Sequence, residues 1–207
     1  LAASIIKDRR FNVPNHQATP ITIKIIGKAI KDASSYLPLR NWAAAIAATA
    51  PRKDYTGQLK AIWRAFNKRW RYVRDPHGLE TVTTSPKAVF NLVIGHNGGA
   101  GNGYGVGDCD DAAVAIGALL KSVGFPVRIA TTAPPGLPGL SFTHVFVQAQ
   151  VPGRGWVTVD PVLLPNKNLG DTAPHGRLAI WDLNGKIIAT RGISARRLKR
   201  TYKMQGV

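Results

Sequence analysis

One stretch restricts what this chain can become. Beginning at Gly107-Asp108-Cys109-Asp110-Asp111, apolar residues at Ala113, Ile116, Leu119, Leu120 and Val123 recur at helical spacing. A helix with so broad an apolar surface has to be covered by other elements, which makes it the centre of a packed domain. Gly124 stops it, and Pro126 forbids its continuation. Cys109, the single cysteine, therefore falls in the first turn. There the unpaired backbone N–H groups and the positive end of the helix dipole favour thiolate. Asp108, Asp110 and Asp111 crowd the same turn. Capping and the dipole account for them, yet they oppose thiolate formation, so a base must offset them through an ion pair. Taken alone, a lone cysteine is more often an inert small hydrophobe than a nucleophile.

Two downstream residues change that balance. His144 stands in Ser141-Phe142-Thr143-His144-Val145-Phe146-Val147, which alternates like a strand and so gives the imidazole a fixed direction. Asp160 closes a second strand-like run, Gly155-Trp156-Val157-Thr158-Val159-Asp160-Pro161. A thiol nucleophile needs a base, and the base needs a group that holds its tautomer and stabilises its imidazolium form. Separately, His144 reads as a core histidine and Asp160 as a turn-forming Asp-Pro. Together with Cys109 they supply all three chemical types.

Three separate motifs carry a family resemblance. Gly-Asp-Cys-Asp-Asp-Ala with the helix end Leu119 to Arg128, then His144-Val145-Phe146-Val147, then Pro152 to Pro161, resemble the core of the transglutaminase-like superfamily. The likeness runs from about Tyr55 to Pro161 and is similar to bacterial and phage transglutaminase-like cysteine peptidases. It implies an α+β fold in which the cysteine helix packs on an antiparallel sheet around a papain-like Cys-His-Asp site. It also implies acyl transfer, with Cys109 attacking a carboxamide or peptide carbonyl, His144 moving the proton and Asp160 orienting His144. The oxyanion would be held by the Cys109 N–H and one upstream side-chain donor, for which Tyr72, Trp70 and Gln58 are candidates in that order. The family holds transamidases, peptidases, deglycosylating amidases and inactive members. Hydrolysis of a protein or peptide substrate is expected over transamidation, because no stretch marks a lysine-recruiting site. No cofactor is expected, and no metal: His16, His77, His96 and His175 are scattered, and one cysteine cannot build a structural zinc cluster.

In chain order, residues 1–37 read as an N-terminal arm or extension, 38–190 as the transglutaminase-like domain, and 191–207 as a basic C-terminal tail. Residues up to about 20 have no clear period. Ile21 to Ile30 mixes strand alternation with helical spacing, and both readings stay open. Helices are expected over Pro38 to Ala50, after Asp54 through Leu59, Ile62, Trp63, Phe66 and Trp70, and from Ser85-Pro86 to about Ile94. Residues 95–107 form a glycine loop without the Gly-Lys-Ser/Thr ending of a phosphate cradle, better suited to a cleft rim beside Cys109. Strands are expected at Val127 to Ala133, His144 to Val151 and Trp156 to Asp160. A hairpin over Arg177 to Ala189 follows, turning at Asn184-Gly185.

Charge opens a second class of function. With 28 basic and 11 acidic residues the net charge is +17, which suits a polyanion such as nucleic acid or cell wall, or acidic partner proteins in an assembly. Arg64 and Lys68 on one helix, Arg71 in the extended piece that ends it, and Arg196, Arg197, Lys199 and Arg200 in the tail are the candidate contacts. The alternative to an enzyme is thus a non-catalytic structural or interaction protein of a virion or similar assembly, keeping the fold and docking through its basic surface. The expected setting is the bacterial cytoplasm or a phage virion. No run approaches the ~18 apolar residues that would span a bilayer.

Overall fold

The computed structural model describes residues 9–10, 15–75, 81–96, 103–134, 142–162, 168–171 and 176–193. The basic tail with Arg196, Arg197, Lys199 and Arg200 lies outside them, as do residues 97–102 of the glycine loop. The elements run β1 (Arg9–Arg10), α1 (Asn15–Ser34), α2 (Leu37–Ala47), α3 (Tyr55–Arg69), β2 (Trp70–Tyr72), β3 (Thr81–Val82) and α4 (Pro86–Ile94). They continue with β4 (Gly105–Gly107), α5 (Cys109–Ser122), β5 (Val127–Ala133), β6 (His144–Val151), β7 (Gly155–Val159), β8 (Arg177–Trp181) and β9 (Ile187–Arg191). This is the expected α+β architecture, a helical layer on an antiparallel sheet.

The centre is α5. Every residue from Asp110 to Leu120 is buried, because α1, α2, α3, α4 and strand β6 all pack on this helix. At Gly117 the approach of α1 is closest: a Cβ there would stand 2.8 Å from Ile30 Cδ1, so only glycine fits without a shift. The sheet has the order β7-β6-β5-β8-β9, antiparallel throughout. Its alternation puts Ile129, Val145, Val147, Ala149, Val159, Ala179 and Trp181 into one core with the helices. Ala130, Phe146 and Ile180 form a second, smaller cluster.

Local signals explain the helix ends. The Asp54 Oδ1 accepts the Gly57 N–H at 2.8 Å at the start of α3. At α4, Ser85 Oγ accepts the Ala88 N–H at 3.3 Å, Pro86 fills the first turn, and Gly95 ends the helix at a φ of 80°. The apolar stripe of α3 packs as its spacing requires: Leu59, Ile62 and Phe66 are fully buried, and Phe66 stacks on Trp70 with centroids 5.2 Å apart. Trp63 departs from that expectation and stands half-buried at the edge of the face.

Two segments differ from the sequence reading. The open choice over Ile21 to Ile30 resolves as helix, with Ile23, Ile26, Ala29, Ile30 and Ala33 buried in the main core. Residues 15–34 of the expected N-terminal extension are therefore a core helix, and Arg9–Arg10 pair with β3. The glycine loop ends in a strand, β4, which pairs in parallel with β2 in the register Trp70↔Gly105, Arg71↔Val106 and Tyr72↔Gly107. Among the described residues no helix is long and apolar enough to cross a membrane.

Candidate active site

Strand β4 delivers the chain directly into α5, and Cys109 is the first helical residue, half-buried. The acidic turn around it divides into structural and unsatisfied parts. Asp111 Oδ2 accepts the Asp108 N–H at 3.3 Å, and Oδ1 accepts the Thr83 N–H at 2.9 Å, so this buried carboxylate ties β3 to the helix start. Gly107 makes room for it: a Cβ there would lie 2.3 Å from Asp111 Oδ2 and 2.7 Å from Trp70 Cη2.

Asp110 is different. It is buried, and neither carboxylate oxygen has a hydrogen-bond partner among the described residues. Burial pushes its carboxyl well above the usual carboxylate range. Contact with the Asp108 carboxyl and the charges of Asp111, Asp108 and Cys109 push the same way. The three carboxylates offer oxygens within 4.8 Å of one another, a donor set that suits either a shared proton or a hard cation. A raised folded-state pKa means the neutral form is favoured on folding. The associated stability is present below the unfolded value near pH 4 and is lost as pH rises towards the folded value. Asp110→Asn should therefore melt at a higher temperature than the wild type at pH 7, with the gap closing near pH 4. A gap that instead widens towards acid would overturn this reading.

The base and its partner meet across the sheet. His144 opens β6, and Asp160 follows the last residue of β7. His144 Nε2 and Asp160 Oδ2 are 2.6 Å apart. An ionised carboxylate only accepts, so Nε2 carries the shared proton and Nδ1 is the nitrogen left to meet a thiol. Asp160 is held in turn, its Oδ1 accepting the Val162 N–H at 3.1 Å. The carboxylate side chain is fully buried while the imidazole keeps 16% exposure, the arrangement of a base reachable from a cleft and positioned from behind.

The oxyanion candidates separate in space. Tyr72 lies close enough to Cys109 and Asp108 to feel their charges. Burial raises its hydroxyl pKa first, those two charges add to the rise, and a hydrogen bond with Arg74 opposes it. Trp70 is buried against Gly107, and its indole N–H has no partner among the described residues. Gln58 is elsewhere: it lines a cleft of about 370 Å³ with Tyr55, Phe125, Pro126, Gln150 and Pro152, beyond the C-terminal end of α5. The 14 residues of α5 place that end about 20 Å from Cys109. The structure thus sets Trp70 and Tyr72 on β2, beside the strand that leads into Cys109, and leaves Gln58 at the opposite pole.

The sequence reading passed over Arg74 and Tyr104. Arg74 is exposed two residues beyond Tyr72, and the Arg71 guanidinium lies 3.8 Å over the Tyr104 ring. The available signal was the Arg-Tyr-Val-Arg run itself, since its alternation does not bury the aromatic residue. Arg64 and Lys68 are exposed on α3.

Comparisons with known proteins bear on the family and the fold. The model of a family described as the transglutaminase-like superfamily matches residues 40–161. The crystal structure of a candidate protease from Parabacteroides distasonis superposes with a TM-score of 0.54 at 13% identity, covering 84% of this chain and 31% of that one. This chain thus spans about a third of that protein's length, and the likeness is one of fold. No curated protein matches the chain.

Proposed function

The chain belongs to the transglutaminase-like superfamily, and on that premise we propose that it is a cysteine peptidase or amidase that transfers an acyl group from a peptide or carboxamide to water. His144 Nδ1 takes the Cys109 thiol proton as Sγ attacks the carbonyl carbon, and the resulting imidazolium is held by Asp160. The oxyanion is met by the Cys109 N–H together with the Tyr72 hydroxyl or the Trp70 indole N–H. Collapse breaks the C–N bond and returns the proton from His144 to the leaving amine. Water, deprotonated by the same ring, then attacks the Cys109 thioester; the C–S bond breaks, the acid leaves, and the proton returns from His144 to Sγ. The observation that carries this reading is the 2.6 Å His144–Asp160 bond, with Nδ1 left open, in a sheet packed on the helix that begins at Cys109. The fold shared with a candidate protease supports it. The test is covalent labelling of Cys109 by a thiol-directed acyl electrophile at neutral pH. A folded protein that labels no faster than free cysteine would overturn it.

A second reading rests on α3. Lys60, Arg64 and Lys68 recur every fourth residue along its exposed face, and none meets a carboxylate among the described residues. A row of this kind suits a polyanion inside an assembly such as a phage particle, with Arg196, Arg197, Lys199 and Arg200 as further contacts. Replacing Lys60, Arg64 and Lys68 by glutamine should flatten the salt dependence of duplex DNA binding by about 0.9 in logarithmic slope for each phosphate no longer neutralised. An unchanged slope would remove the helix from that role.

A further inference from the structure

We infer that the cleft beyond the C-terminal end of α5 is a second binding site, and that it takes an N-acetylated amino sugar of a neutral glycan. The inference goes beyond the acyl-transfer reading and does not depend on it, because the cleft stands about 20 Å from Cys109.

Three well-fixed elements meet there. Tyr55 and Gln58 stand in the first turn of α3, where Asp54 Oδ1 accepts the Gly57 N–H and the Gln58 N–H donates to Asp54 O at 2.9 Å. Phe125 and Pro126 belong to the turn from α5 into β5, closed by the Phe125 N–H on Leu120 O at 3.1 Å. Gln150 and Pro152 belong to the β6–β7 hairpin, and the Gln150 N–H donates to Pro126 O at 2.9 Å, which ties hairpin to turn. The space they enclose is about 370 Å³, within the roughly 300–1,000 Å³ of small-molecule sites. A Cβ on Gly124, Gly153 or Gly155, which also line it, would meet nothing within 4 Å, so the mouth is open.

The lining chooses the ligand. None of its described residues is charged, in a chain where 19% are, so the cleft suits a neutral molecule. Tyr55, Gln58 and Gln150 supply its side-chain polar groups, and among the described residues none of the three side chains hydrogen-bonds to protein. Each glutamine amide brings a donor and an acceptor side by side, and the tyrosine hydroxyl is both. An acetamido group offers the complementary N–H and C=O, and ring hydroxyls also give and accept. The remaining wall is apolar. Phe125, Pro126 and Pro152 can bury the acetyl methyl, and the Tyr55 ring, 40% exposed, offers a face to the C–H groups of the sugar. A second ring continues this surface, since Trp156 stands opposite Gln150 in the β6–β7 register and is 37% exposed. A proline-rich segment also docks on aromatic walls, but it brings carbonyl acceptors and few donors, so both glutamine oxygens would go unpaired.

The test is isothermal titration calorimetry of the full chain with tri-N-acetylchitotriose, cellotriose and decaproline, each at up to about 10 mM. The two trisaccharides share length and linkage and differ in carrying acetamido or hydroxyl groups. The wild type should bind tri-N-acetylchitotriose about tenfold more tightly than cellotriose, the size of one well-placed hydrogen bond. Gln58→Ala with Gln150→Ala should weaken that binding by about tenfold or more. Gln150→Trp fills the mouth from an exposed strand position and should abolish it, with far-UV circular dichroism showing both variants folded. No binding to the wild type, equal affinity for the two trisaccharides, or binding that survives both variants overturns the assignment. Decaproline binding that Gln150→Trp abolishes, with no response to either sugar, gives the cleft to a proline-rich peptide and overturns it equally.

Discussion

With His144 replaced by alanine, labelling of Cys109 by an acyl electrophile at neutral pH should fall by about 10²- to 10⁴-fold, the usual contribution of a positioned general base. Three features of the site set that expectation. The helix N-terminus alone favours thiolate, but Asp108 and Asp111 stand within the same turn and work against it. The imidazole is oriented by a fully buried carboxylate at 2.6 Å, so its Nδ1 is presented without a search among rotamers. Among the described side chains the one other histidine is His96, exposed just after the C-cap of α4. Asp160→Asn should lose less than His144→Ala, because the base remains but an amide can flip and favour the wrong tautomer. Labelling rates measured beside far-UV circular dichroism check this. A His144→Ala protein that is folded and labels within threefold of the wild type would remove the triad.

Leu119→Ala should cost about 2–5 kcal/mol of folding stability. Leu119 is fully buried on a helix enclosed by four others and by the sheet, so little can move in to fill the space. For a chain of this size that loss lowers the melting temperature by about 4–20 °C. Urea unfolding with an unchanged m-value would assign the effect to the native core. Lys121→Ala, two residues on and exposed, provides the comparison and should shift stability by less than about 0.5 kcal/mol. A loss below about 0.5 kcal/mol for Leu119 would mean that the helix presents another face to the core.

Where a local signal and the tertiary packing agree, the sequence is readable to the residue. Strands β5 and β6 begin and end where their alternation does, and α4 sits between its serine cap and Gly95. Where they conflict, it is not. Ile21, Ile23 and Ile25 alternate, while Ile26, Ala29 and Ile30 keep helical spacing; only burial against α5 selects the helix. The Gly-Val-Gly of β4 carries no period at all, and its pairing with β2 depends on residues more than thirty positions away. The candidate triad is legible because each member sits at the boundary of a well-marked element. The oxyanion donors are not, since their placement depends on which way α3 runs. Its C-terminal end delivers Trp70 and Tyr72 to Gly107, whereas its N-terminal end carries Gln58 to the cleft beside Phe125. From Gln58 to the end of α3 at Arg69 is about 16 Å of helix, enough to divide candidates that look adjacent in the chain.

The contact between Ile30 and the notch at Gly117 also has a consequence for biosynthesis. Helix α1 leaves the ribosome about ninety residues before the helix that covers it, and at ordinary translation rates it waits roughly 5–20 s for that partner. Until α5 emerges, Ile23, Ile26 and Ile30 lack the helix that α1 packs against most extensively, with only α2, β3 and α4 to cover them in part. The nascent chain therefore carries a net-basic segment with an apolar stripe whose main cover, and with it the choice of helix over strand, arrives late.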